Sequence, residues 1–160
     1  MDGTSASPGF ESRVRASARR GPSIGVWERL AHVALAMACL AVLWVGRGLE
    51  PSTAGHGSHV QLGMPPCAWV VRFDRPCPTC GMTTSVAHAA RGEFLRSLVV
   101  QPAGAAFALF CAVAFWGSLY IAATGSALGR LVGLRLLGTR SLWCAGALVG
   151  VSWAYKFVTW

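Results

Sequence analysis

Hydrophobic and polar positions along this chain separate into long apolar runs and connections where Gly, Pro, Arg and His collect. The first run, Leu30 to Val45, reads LAHVALAMACLAVLWV. As a helix it covers about 24 Å, a little less than a hydrocarbon core of about 30 Å. Trp27 and Arg29 at one end, and Trp44 and Arg47 at the other, can sit or snorkel in the interfaces, which predicts a span over about 27–46. Ala103 to Thr124 contains no charged residue and follows Pro102, a residue suited to a first helical turn, so a second span is expected over 103–124. A third run, from about Ser141 to Val158, predicts a span over 141–159. Lys156 stands close enough to its end to snorkel, and Trp143, Trp153, Tyr155 and Trp160 supply aromatic belts.

The connection from Gly46 to Gln101 is too long for an idle loop. Its first half is irregular. Met82 to Arg91 is helical in pattern and stops at Gly92, and Phe94 to Val100 is apolar but too short to cross. Residues 82–100 are therefore expected to form a helix pair that lies in the interface or dips into it as a re-entrant piece, within a segment 62–101. Leu128 to Leu137, LGRLVGLRLL, interleaves Arg130 and Arg135 with leucines and suits either an amphipathic surface stretch or an ordinary connector. Residues 1–25 show no apolar periodicity and read as a disordered basic tail without the apolar core of a signal peptide. The fold class expected is an all-α integral membrane protein, with a membrane domain over 26–160 holding three transmembrane helices and one interfacial or re-entrant segment.

Composition agrees. Hydrophobic residues make up 54% and charged residues 12%, where a soluble domain carries about 25% charged residues. Lipid must do part of the solvating, so the bilayer is the first partner. The net charge of +8 does not point to nucleic acid: almost all of the basic residues are Arg spread between apolar runs, with no aromatic–basic surface or recognition helix. Counted by side, Arg13, Arg15, Arg19, Arg20, Arg29, Arg130, Arg135 and Arg140 outweigh Arg47, Arg72, Arg75, Arg91, Arg96 and Lys156. That bias favours a cytoplasmic N-terminus and an extracytoplasmic 46–101 connection, although Arg47 stands against it.

Chemistry collects in that connection. Cys77-Pro78-Thr79-Cys80-Gly81 brings two sulfurs together at a helix start, which admits three readings. A thiol facing the positive end of a helix favours thiolate and supports thiol–disulfide exchange. A Gly after the second Cys suits a knuckle gripping zinc or iron. The third reading is a structural turn, with cysteines packed or bridged and no cofactor. C-type haem is excluded, because Gly81 stands where His is needed. For a metal, Cys67 is the candidate third ligand, and His56 or His59 a candidate fourth. Cys39, Cys111 and Cys144 lie inside apolar runs and read as small hydrophobes. Cys80, Thr84 and His88 share one helix face, extended by Arg91, a polar stripe that needs a cavity, a partner or solvent. His32 in the first span could approach that stripe. Gly146 and Gly150 form a GxxxG pattern that allows close helix approach, within the chain or to a second copy.

The run Pro65-Pro66-Cys67, then Pro76-Cys77-Pro78-Thr79-Cys80-Gly81-Met82-Thr83-Thr84, followed by Arg91-Gly92 and Gln101-Pro102, resembles the bacterial membrane-protein family known as domain of unknown function 2752. The resemblance covers Leu62 to about Phe110. It implies the membrane architecture, a bacterial inner-membrane location and a special status for Cys67, Cys77 and Cys80, and it supplies no mechanism. Many members carry Thr-Arg where this chain has Thr83-Thr84, so no role of that Arg carries over. The expectation is a non-enzymatic membrane component whose CPxCG turn binds a metal or locks a disulfide and supports assembly with a partner membrane protein or a second copy. The alternative is a membrane thiol–disulfide oxidoreductase with Cys77 attacking and Cys80 resolving.

Overall fold

The computed structural model describes residues 24–136 and 138–160, so the expected tail falls almost wholly outside the described residues. Seven α-helices follow in order: α1 (Val26–Gly48), α2 (Ala68–Phe73), α3 (Met82–Ala90), α4 (Phe94–Val100), α5 (Pro102–Thr124), α6 (Leu128–Leu136) and α7 (Thr139–Val158), with a 3-10 turn at Ser58–Leu62. No strand is found among the described residues.

α1 and α5 form the principal pair. Pro102 opens α5 at a position where a missing N–H costs nothing, and Gly125, at φ 67°, closes it in the left-handed conformation. The Ile24 N–H donates to Gly125 O at 3.1 Å, so the start of α1 meets the end of α5 and the two run antiparallel. Small residues fill the seam: Ala36 and Cys39 from α1, with Ala105, Ala108 and Cys111 from α5. Large apolar side chains face outward, with Trp44 74% and Trp116 69% exposed. Small-inside, large-outside is the pattern of helices solvated by lipid. Both helices, 23 residues each, are long and apolar enough to cross a membrane, and only 17% and 28% of their most apolar windows are buried, unlike the core helix of a soluble protein.

α7 lies where the third span is expected, but it is not among the helices that are long and apolar enough by the same measure. Its grip on the rest is concentrated near its C-terminus, where Trp153 Nε1–H donates to Pro76 O (3.0 Å) and Tyr155 O–H to Val99 O (2.9 Å). Gly146 and Gly150 have no heavy atom within 4 Å of where a Cβ would sit. Their GxxxG pattern therefore makes no close approach among the described residues.

Residues 49–101 form a cap folded over the end of the pair where α1 closes and α5 starts. Gly104 allows this: a Cβ there would meet Ser85 Cβ and Oγ at 2.8 Å and Met82 O at 3.0 Å. Gly46 gives α1 a similar approach to Val86 and Ala90 of α3. Arg47, the charge that stands against the topology bias, donates to Ala90 O at 3.4 Å, at the negative end of α3. At the other end of the pair, Gly129 of α6 packs against the His32 ring and Ile121. His32 does not approach the polar stripe, because the helix from His32 to Gly46 is about 21 Å long.

Candidate metal centre

The cysteine turn is shaped by backbone bonds before any sulfur chemistry begins. Cys80 N–H donates to Cys77 O (2.9 Å), Met82 N–H to Thr79 O (3.1 Å), and Ser85 N–H to Gly81 O (2.8 Å), which carries the turn directly into α3. Gly81 has φ 86°, and a Cβ there would lie 2.7 Å from Gly55 O. Only glycine fits, on conformation and on space. Cys67 sits at the N-cap of α2, whose Val71 N–H donates to Cys67 O at 3.0 Å. These two local structures bring the Sγ atoms of Cys67, Cys77 and Cys80 within 4.8 Å of one another. Four thiolate or imidazole ligands around zinc, with Zn–S bonds of about 2.3 Å, place sulfurs about 4 Å apart. The cluster needs only a small contraction to share an ion.

The three thiols are not equivalent. Burial pushes Cys80 up to about 11, helped by the neighbouring Cys77 and Cys67. For Cys67 burial acts in the same upward direction, but the N–H groups of Val70 and Trp69, with the Cys77 and Cys80 thiols, outweigh it and hold Cys67 below the usual thiol value.

A cavity of about 680 Å³ opens in front of the cluster, walled by Val42 and Val45 of α1 and Phe107 of α5, and His59 lines it together with all three cysteines. His59 Nε2–H donates to Pro65 O at 3.2 Å, which leaves Nδ1 as the unprotonated nitrogen of the neutral ring. An imidazole fixed through one nitrogen with the other free is the arrangement metal-ligating histidines use. His59 stands outside the close sulfur cluster itself. His56 is committed elsewhere: Nδ1–H donates to Ala54 O (2.9 Å), and its ring lies 4.6 Å from that of Trp160.

Of the polar stripe, only Cys80 belongs to the cluster; Thr84 and Arg91 are held by the irregular half of the connection, and His88 by the N-cap residue of α4. Thr84 Oγ1 shares a hydrogen bond with Ser58 Oγ at 2.9 Å. His88 Nδ1–H donates to Glu93 at 2.6 Å, and Arg91 forks onto Glu50 at 2.9 and 3.3 Å. The carboxyl groups of Glu50 and Glu93 are held below the usual range, chiefly by these hydrogen bonds from Arg91 and His88. The partner of the stripe is the chain's own loop.

Several residues here are not apparent from sequence patterns. Ser85 Oγ bonds Ser97 Oγ (2.8 Å), Ser97 O and Gln101 O (both 2.9 Å), tying α3 to α4 and to the start of α5. Gln101 Nε2–H reaches Pro78 O at 3.4 Å, inside the cysteine turn. Lys156 is not extended to solvent as a snorkelling residue: it is 7% exposed, and Nζ donates to Gly55 O at 3.2 Å. Gln101 beside Pro102, and Gly104 one turn on, are the signals that could have marked the contact between turn and span.

No curated protein and no solved structure matches the chain. Residues 67–115, from the first cysteine of the cluster into the middle of α5, match the model of the family described as a protein of unknown function (DUF2752).

Proposed function

We propose that this protein is a multi-pass membrane component whose extracytoplasmic cap binds one zinc ion through Cys67, Cys77 and Cys80, with His59 Nδ1 as fourth ligand. The ion acts as a structural staple rather than a catalyst and holds the cap in the shape that partner proteins or a second copy recognise. The observation that carries this reading is the approach of three Sγ atoms within 4.8 Å, from two separate local structures. Small helices of six, nine and seven residues cannot bury much apolar area, and a structural metal supplies folding free energy to such an element.

Three spans are part of the proposal. α7 has 20 residues, about 30 Å of helix. It starts beside the α6 connection and ends against Pro76 and Val99 of the cap, so its ends lie at the same two levels as those of α1 and α5. The Arg bias orients the N-terminus toward the cytoplasm of a bacterial inner membrane and the cap outward.

Intact-mass and metal analysis of the purified protein tests the function. Stoichiometric zinc, lost in Cys67→Ser, is the expected result. A metal-free protein that gains the mass of two hydrogens on reduction would overturn the staple and support disulfide chemistry at Cys77 and Cys80. Impermeant thiol labelling of intact cells, after chelation, tests the orientation.

A further inference from the structure

We infer that Lys156 is the counter-charge of the thiolate centre, so that α7 completes the site electrostatically; this rests on the metal reading above. Lys156 is buried, and Nζ has one neutral acceptor, Gly55 O at 3.2 Å. A single carbonyl satisfies one of three N–H donors and none of the charge. A buried ammonium is retained only where an opposite charge lies nearby. The described carboxylates do not supply it. Glu50 pairs with Arg91, Glu93 with His88 and Arg96, Asp74 is exposed, and Glu28 lies at the start of α1, at the other end of the pair.

What does lie nearby is the cysteine turn. A Cβ on Gly81, the residue after Cys80, would sit 3.5 Å from Lys156 Cε and 3.6 Å from Nζ, and one on Gly55 would sit 3.2 Å from Nζ. Both are glycines with positive φ, so the backbone is pared down where the ammonium rests. Lys156 does not line the cavity that His59 shares with the three cysteines. The charges then balance. A divalent ion with three thiolates and a neutral imidazole carries a net charge of minus one, and one ammonium brings the buried group to zero. Without Lys156 the same centre is a buried anion. Lys156 is a positioning residue for charge and does not ligate.

A purely structural role is the competing explanation, in which Lys156 only ties α7 to Gly55. Cobalt(II) titration of the full chain in detergent separates the two, because thiolate-to-cobalt charge transfer reports the ligand set directly. Lys156→Gln keeps a donor and removes the charge. Tyr155→Phe removes a neighbouring bond from α7 to the cap and leaves the charge. Outer-shell partners typically contribute about 10–100-fold to metal affinity, and Lys156→Gln is expected to weaken cobalt binding by that factor with the charge-transfer band unchanged in shape. Tyr155→Phe should stay within about threefold of wild type. Equal affinity for Lys156→Gln and wild type, or equal weakening by both variants, would overturn the counter-charge. A wild-type protein with no charge-transfer band at all overturns the metal reading instead. Lys156 is the only lysine in the chain, so wild-type protein gives a second measurement that needs no variant. Acylation of Lys156, located by peptide mapping, should run several-fold faster after chelation than with metal bound, and equal rates would count against the pairing.

Discussion

Along the seam of α1 and α5 the facing residues are Ala36, Cys39, Ala105, Ala108 and Cys111, whereas in the cap most of the fully buried side chains are polar: Ser58, Thr84, Ser85, Ser97 and Gln101. The difference follows from helix length. A 23-residue helix satisfies its own backbone almost throughout, so the pair needs only small side chains that let two backbones approach in lipid. The cap is built from short helices with many ends, and each end leaves backbone groups that must find partners. Its polar side chains are those partners. Chemistry therefore gathers in the cap, where polar groups are already required, and the pair serves as its platform.

The largest effect expected is at the joint between the two regions. Gly104→Val would drive a side chain into Ser85 Oγ and Met82 O, and overpacking of this kind costs about 1–3 kcal/mol or more. Gly117→Val, on the same helix with nothing within 4 Å, is the control and should leave thermal unfolding in detergent unchanged. If the two variants unfold alike, the cap does not depend on close docking to α5.

Next is a matched pair of serines. Ser85→Ala removes the hydroxyl that links α3 to Ser97 and Gln101, a loss of about 0.5–1.5 kcal/mol, while Ser97 Oγ keeps its bond to Ser85 O and both carbonyl groups keep a backbone N–H. Ser118→Ala, buried in the pair, should change unfolding by much less, because the seam relies on size rather than on polar bonds. Equal losses would erase the contrast between the regions.

A pH series gives a smaller effect. The Cys80 thiol is raised to about 11 in the folded chain, against about 8.5 for a free thiol, so folding favours its protonated form. The metal-free protein should hold this stability fully below about pH 8.5 and lose it as pH rises toward the folded value. Cys80→Ser should remove that alkaline decline. Metal binding runs the other way: it displaces thiol protons and should weaken as pH falls. An alkaline decline that persists in Cys80→Ser would assign it to another group.

Gly146→Leu and Gly150→Leu should have the smallest effect on the monomer, since among the described residues nothing lies within 4 Å of a Cβ at either position. Their place to act is a second copy. Dimer content in detergent, compared with Leu148→Ala, reads this, and a fall specific to the glycine variants would assign the stripe to self-association.

The two spans and the cysteine trio were legible because both are carried by local pattern. Apolar length marks α1 and α5, and the expected 103–124 differs from α5 by a single residue. A CxxC turn with a third cysteine ten residues upstream of it keeps all three members of the cluster in one short stretch of chain. Partners far away in sequence were not legible. Local physics predicts that a lysine near the end of an apolar run snorkels, but Lys156 finds Gly55, a loop residue 101 positions away. The polar stripe likewise showed that Thr84, His88 and Arg91 need partners, and nothing in the helix identifies them as Ser58, Glu93 and Glu50. Gly146 and Gly150 permit an approach that no other helix among the described residues makes, which leaves a second copy as the partner their spacing allows.

X-ray absorption at the zinc edge, on protein purified without chelator, tests the shared ion most directly. Three sulfur neighbours at about 2.3 Å and one nitrogen at about 2.0–2.1 Å are expected, with one sulfur replaced by a lighter atom in Cys77→Ser. A shell of oxygen and nitrogen alone, or a protein that carries no ion and yields a Cys77–Cys80 disulfide, would contradict the metal centre.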